Sequence, residues 1–124
     1  MRQLVYILRR KPGMSLEEFQ TYWREVHGPL VASHATTLGI KRYVQVHSLP
    51  TTRRITEGVR GPMAEPFDGV AELWIDRETA AGTPEEIKAA QQALAEDESN
   101  FIDFPNASFW LGDEHIFVGE ETPA

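Results

Sequence analysis

Hydrophobic residues recur along this chain with two periods, and the switch between them predicts its elements. Leu4-Val5-Tyr6-Ile7-Leu8 is a continuous apolar run closed by Arg9-Arg10-Lys11-Pro12-Gly13. A short apolar run bounded by a turn reads as a strand buried on both faces. One sheet face of a small α+β protein packs on helices, so the other needs a cover, and a second subunit is the simplest one. Ser15-Leu16-Glu17-Glu18 is a capping box. Leu16, Phe19, Trp23 and Val26 follow at helical spacing and predict a helix over about 15–27. His27-Gly28-Pro29 is expected to interrupt it, because proline disfavours helical geometry at the residue before it. Pro29 then opens a second helical stretch through Leu30, Val31, His34 and Leu38 to a stop at Gly39.

Tyr43, Val44 and Val46 mark a second strand over 40–46. Residues 48–67 have no period and read as a long loop, a feature often tied to function. Val70 to Ile75 predicts a third strand. Thr83-Pro84-Glu85-Glu86 is another capping box, and Ile87, Ala90 and Leu94 give its helix a buried stripe. Ser108 to Val118 reads as a last strand region, bent near Gly112-Asp113. The order β-α-β-β-α-β is the split βαβ, ferredoxin-like α+β pattern. It suits one domain spanning 1–124, with no internal repeat.

Composition narrows the function. The 124 residues carry 12 basic and 19 acidic side chains, a net charge of −7. A polyanion is repelled at long range, so nucleic acid is not the expected partner. Arg9-Arg10-Lys11 and Arg53-Arg54 run against this balance and read as solvated surface. There is no cysteine, which removes disulfides, thiolate metal sites and a cysteine nucleophile. The first apolar run has five residues, too short for a signal-peptide core or a membrane span. The expectation is a cytoplasmic protein that does not enter a membrane.

Three blocks resemble the EthD-like proteins. They are Leu4 to Ser15; Phe19 to Leu30, with Trp23 four residues before His27-Gly28-Pro29-Leu30; and Asp97 to Asp103 followed by Glu114-His115. The resemblance implies a dimeric α+β barrel: two four-stranded antiparallel sheets face to face, helices outside, and a pocket between each sheet and its helices. Proteins of that kind include cofactor-free isomerases, cyclases, dehydratases and monooxygenases, accessory proteins of degradation pathways, and haem-binding enzymes.

His27 is the first candidate for chemistry. It lies about 40° round the helix from Trp23, at the edge of the buried stripe. A neutral imidazole there can accept a proton and return it, although a histidine so placed can also simply cap helix carbonyls. Tyr43 and His47 are four apart on the second strand and share a face, so they can orient a carbonyl or phenol. Tyr6, Trp23, Trp74, Phe101 and Phe104 are candidate walls of a substrate pocket, against a plain role in core or dimer interface. Asp103 and Glu114 match acidic positions of the family. Asp103 could reach substrate but also suits a structural role among Phe101, Ile102 and Phe104. His34 shares a face with Leu30 and Leu38 and reads as a core-edge residue, while Glu114 and His115 point to opposite faces of the last strand.

No His-x-x-x-His pair exists, and His27 and His34 are roughly 10 Å apart along a helix axis, so no metal is expected. No phosphate-binding glycine motif occurs. The reading is a cofactor-independent homodimeric enzyme that moves a proton on a small hydrophobic aromatic, polyketide-like or lactone molecule. A non-catalytic carrier of such a molecule and a haem-binding protein are the alternatives.

Overall fold

The computed structural model describes residues 2–52 and 58–120. Strand β1 (Arg2–Leu8) is followed by α1 (Leu16–Tyr22), a π-helical turn (Trp23–His27), α2 (Gly28–Ser33) and α3 (Ala35–Leu38). Then come β2 (Ile40–His47), β3 (Gly69–Ile75), α4 (Pro84–Glu98) and β4 (Ser108–Gly112). The strands form one antiparallel sheet in the order β2-β3-β1-β4, which is the expected α+β, ferredoxin-like arrangement. Arg53-Arg54 lies outside the described residues.

Both capping boxes form as the sequence predicts. Ser15 Oγ accepts from Glu18 N–H and Glu18 accepts from Ser15 N–H, each at 3.0 Å. Thr83 and Glu86 repeat this at the start of α4. Strand alternation sends Leu4, Tyr6 and Leu8 of β1 and Ala71 and Leu73 of β3 to the helical side. There they meet Phe19, Trp23, Val31, Phe101 and Ile102 in the core. The other side of the sheet carries Val5, Ile7, Val44, Val46, Val70, Glu72 and Trp110.

Four expectations are corrected. The helix is not interrupted at His27-Gly28-Pro29. Residues 23–27 widen into a π turn, in which Gly28 N–H bonds back to the Trp23 carbonyl, and the chain passes through Gly28 in right-handed helical geometry into α2. Pro29 lacks the N–H that a regular turn would use, and the wider turn relieves its clash with the preceding carbonyls. The buried stripe shifts as a result: Val26 is 46% exposed, and His27, at 4%, takes the inward place. The wider turn needs one more residue before a side chain comes back to the same face.

The last strand ends at Gly112, so Glu114 and His115 sit in exposed coil and show no strand alternation. Finally, Arg9 and Arg10 are not simply solvated. The Arg9 guanidinium donates to the carbonyls of Pro66 (3.0 Å) and Glu65 (3.1 Å) and lies 3.9 Å over the Phe67 ring. Arg10 pairs with Asp68 through its side chain and its backbone N–H, both at 2.7 Å. The acceptors that hold them arrive from a loop far along the chain.

Trp23 rests directly on the backbone of β3. A Cβ at Gly69 would stand 2.4 and 2.8 Å from its ring and 3.1 Å from the Val46 carbonyl. Ring and strand are both held by the core, so neither can give way. Gly69→Ala is expected to cost about 3 kcal/mol, the upper range for overpacking, measured as a drop in the urea midpoint. A loss below about 1 kcal/mol would mean that Trp23 can leave this seat.

Candidate functional site

The π turn and the end of α4 meet over the sheet and bring His27 against two carboxylates. Asp97 and Glu98 are consecutive, so they leave the helix about 100° apart and take the imidazole from two sides. Asp97 Oδ2 is 2.8 Å from His27 Nδ1, and Glu98 Oε2 is 3.7 Å from His27 Nε2. Tyr22 donates its hydroxyl to Asp97 Oδ1 at 2.6 Å, and Asn100 Nδ2 donates to the Tyr22 oxygen at 3.1 Å. Phe101 packs on the imidazole and on Tyr22, with 5.1 Å between ring centres in each case.

These contacts fix the protonation pattern. Burial pushes the Asp97 carboxyl up, but hydrogen bonds from Tyr22 and His27 and the attraction of the imidazole outweigh it and hold it below its ordinary value. Asp97 is therefore an anion that accepts from His27 Nδ1–H. Burial, only partly offset by Asp97, holds the His27 pKa below 6.5. The imidazole is thus neutral at pH 7, with its free lone pair on Nε2. Glu98 is opposite in character. Burial, reinforced by the charge on Asp97 and opposed by a hydrogen bond from Tyr6, raises its pKa from 4.5 to about 7. It also sits at the negative end of a helix dipole, where a carboxylate is unwelcome. Burial and Glu98 together push the Tyr6 hydroxyl up.

His27 and Glu98 line a partly open cavity of about 100 Å³ between the sheet and the helices. Tyr6 and Tyr43 supply its other polar side chains, and Trp23, Leu73, Leu94 and Ile102 are among its apolar walls. Of the residues that the sequence nominates, His27, Tyr43, Tyr6 and Trp23 meet here, and Phe101 stands behind His27. His47 lies on the far side of Trp23, stacked on it at 4.4 Å, in a separate cleft of about 370 Å³ with Ser48, Thr51, Thr52 and Phe67. Trp74 is on the opposite sheet face, with the Arg42 guanidinium 4.7 Å from its ring. Asp103 accepts from Asn106 Nδ2 at 2.7 Å beside the half-exposed Phe104, away from the cavity. His34 is at the α2–α3 junction.

Sequence reasoning missed Asp97 and Glu98 as partners of His27, although a signal exists. The stripe Ile87, Ala90, Leu94 continues at i+4 to Glu98, a carboxylate on the buried face. Gln45, midway between Tyr43 and His47 on the same face, was missed too. Its Nε2 donates to the Tyr43 hydroxyl (2.7 Å) and to the Trp23 carbonyl (2.9 Å), while its Oε1 is 2.8 Å from His47 Nε2. Among the described residues, no group of three or more His, Cys, Asp or Glu side chains is placed to hold a metal ion. No helix among the described residues is long and apolar enough to cross a membrane.

Solved structures share this fold. A protein of the ethyl tert-butyl ether D (EthD) family from Bacillus halodurans superposes with a TM-score of 0.54 at 19% identity, covering 93% of this chain and 100% of that one. HapK from Hahella chejuensis gives 0.54 at 11% identity, over 99% of this chain and 100% of its own. An EthD-like protein from Ralstonia eutropha gives 0.52 at 16% identity, over 96% and 95%. At such identities these likenesses concern the fold. The sequence pattern of the EthD domain matches residues 11–105, three quarters of the length. The chain belongs to the EthD family.

Proposed function

We propose that this protein is a cofactor-independent enzyme that moves a proton on a small hydrophobic molecule bearing a carbonyl group. The observation that carries this reading is the clasp on His27: an anion on Nδ1, a free lone pair on Nε2, and beside it a carboxyl group with a pKa of about 7, all at one cavity. Burial lowers the base and raises the acid, inverting their ordinary order, and a pair of titratable groups shifted in this way marks an acid–base pair.

In this reading the substrate presents a C–H bond next to its carbonyl to His27 Nε2. The C–H electron pair moves into the carbonyl to form an enolate, and the proton goes to Nε2. Asp97 stabilises the imidazolium so formed, as an anion on Nδ1 does in other histidine bases. Return of that proton to another carbon or to oxygen completes an isomerisation. Loss of a leaving group, or attack of the enolate carbon on a second carbonyl, gives dehydration or cyclisation. Glu98 can hold or release a proton near pH 7, so it can return a proton that His27 has not kept. The small volume limits what enters to a five- or six-membered ring or the reactive end of something larger. A homodimer belongs to the same proposal, because the sheet face away from the helices is apolar and half-open, with Val46 49% and Trp110 46% exposed.

The test uses cyclopentanone in D2O, with exchange at the carbon next to its carbonyl followed by proton NMR. Exchange is expected to run faster than in buffer and to fall about 10²- to 10⁴-fold in His27→Ala. Binding of cyclopentanone with no catalysed exchange would replace the enzyme with a carrier of hydrophobic molecules.

Glu98 makes a second prediction. A carboxyl group with a raised pKa holds its proton in the folded state over a range where the unfolded chain has lost it. Stability therefore falls as pH rises from 4.5 to about 7. His27, with a lowered pKa, acts in the opposite sense, but it is common to wild type and Glu98→Gln. The stability of Glu98→Gln relative to wild type should thus climb by on the order of 3 kcal/mol across this window in urea titrations at several pH values. A flat difference would mean that Glu98 titrates as in water.

For the dimer, Val44 sits at the middle of the apolar face, opposite Glu72. Val44→Glu should convert a dimer to a monomer in sedimentation velocity. A monomeric wild type would remove the dimer from the proposal.

A further inference from the structure

Tyr43 is held by contacts that the proton-transfer reading does not use. The π turn leaves the Trp23 carbonyl facing the sheet, where it accepts both from Gly28 N–H and from Gln45 Nε2 at 2.9 Å. A carbonyl is an acceptor only, so the amide nitrogen of Gln45 must point that way. The direction of every neighbouring hydrogen bond follows. Gln45 Oε1 accepts, so His47 donates from Nε2, and its Nδ1 is the atom left buried without a partner. Gln45 Nε2 also donates to the Tyr43 oxygen at 2.7 Å. A phenolic oxygen has two acceptor sites and one hydrogen. With one of these sites taken by the Gln45 amide, the Tyr43 hydrogen points away from Gln45, toward the cavity that Tyr43 lines.

We propose that Gln45 is a positioning residue that aims the Tyr43 hydroxyl into the cavity, where it donates to the carbonyl oxygen of the substrate while His27 acts on the neighbouring carbon. The inference rests on the proton-transfer reading and adds the group that receives the negative charge. Above pH 7 the cavity holds no other free donor among the described residues. His27 Nδ1–H is given to Asp97, His27 Nε2 carries a lone pair, and Glu98 is ionised and draws the Tyr6 hydroxyl that lines the cavity beside it. A donor already placed where charge develops is the usual means of stabilising an enolate. The specificity that follows is for a ketone, aldehyde or lactone and against the hydrocarbon of the same shape. Gly28 belongs to the device, because a Cβ there would come within 3.1 Å of Gln45 Nε2.

The experiment compares cyclopentanone with methylenecyclopentane, equal in shape but lacking the oxygen, as competing ligands at pH 8 by NMR titration. In wild type the ketone should gain relative to the hydrocarbon. In Gln45→Leu and in Tyr43→Phe the ratio of their Kd values should move against the ketone by about five- to tenfold, the worth of one hydrogen bond. A merely structural loss would weaken both ligands alike and leave the ratio fixed. Should Gln45→Leu fail to fold, Gly28→Ala displaces the same amide from a helical position that tolerates alanine and should move the ratio the same way. His27→Ala should leave the ratio unchanged while abolishing exchange, which separates this inference from the base assignment. An unchanged ratio in Gln45→Leu or Gly28→Ala, an equal shift in His27→Ala, or a wild type that binds neither ligand would each overturn it.

Discussion

The widened turn at Trp23–His27 is the constraint on which the rest of the site depends. A regular helix here would bury Val26 and push His27 to the edge. The extra residue per turn turns His27 inward instead and leaves Val26 in solvent. It also carries the helix past Pro29 without a break and leaves a carbonyl available to a side chain of the sheet. One local departure from helical geometry thus sets the inward side chain and the outward carbonyl, and π turns of this sort recur at functional sites.

The clasp at the end of α4 is expensive in isolation. Two carboxylates stand at the negative end of a helix dipole, with His27 as their close basic neighbour. An arrangement selected only for stability would place a lysine or arginine there, or an apolar side chain in place of Glu98. Departures of this kind, where a local rule is broken without a packing gain, are expected at sites kept for chemistry.

Much of this was readable from the chain alone. The two capping boxes, the four strands and the split βαβ order follow from local signals that the tertiary structure does not override. His27 was readable as a candidate because its spacing from Trp23 puts it at the edge of the buried stripe, although its full inward turn comes from the π turn. The π turn was not, since Gly28-Pro29 is equally a signal for a break, and only packing against Gln45 and the sheet decides between them. Asp97 is seventy residues from His27, with Glu98 next to it, and nothing local pairs them with the histidine. Tyr43 and His47 share a strand face as read, but the intervening Trp23 ring puts them in different spaces.

The grip of Arg9 and Arg10 on residues 65–68 has a consequence for how the molecule could vary. The returning end of the β2–β3 connection is fastened to the end of β1 by an ion pair, carbonyl contacts and a ring contact, all within four residues of the start of β3. The register of β3 is therefore set locally and does not depend on the length of the segment before Glu65. Closing a longer loop costs only about 0.6 kcal/mol per doubling. The connection is thus a place where residues can be inserted or deleted, and the mouth of the neighbouring cleft remodelled, while the sheet and the histidine beneath it stay in register.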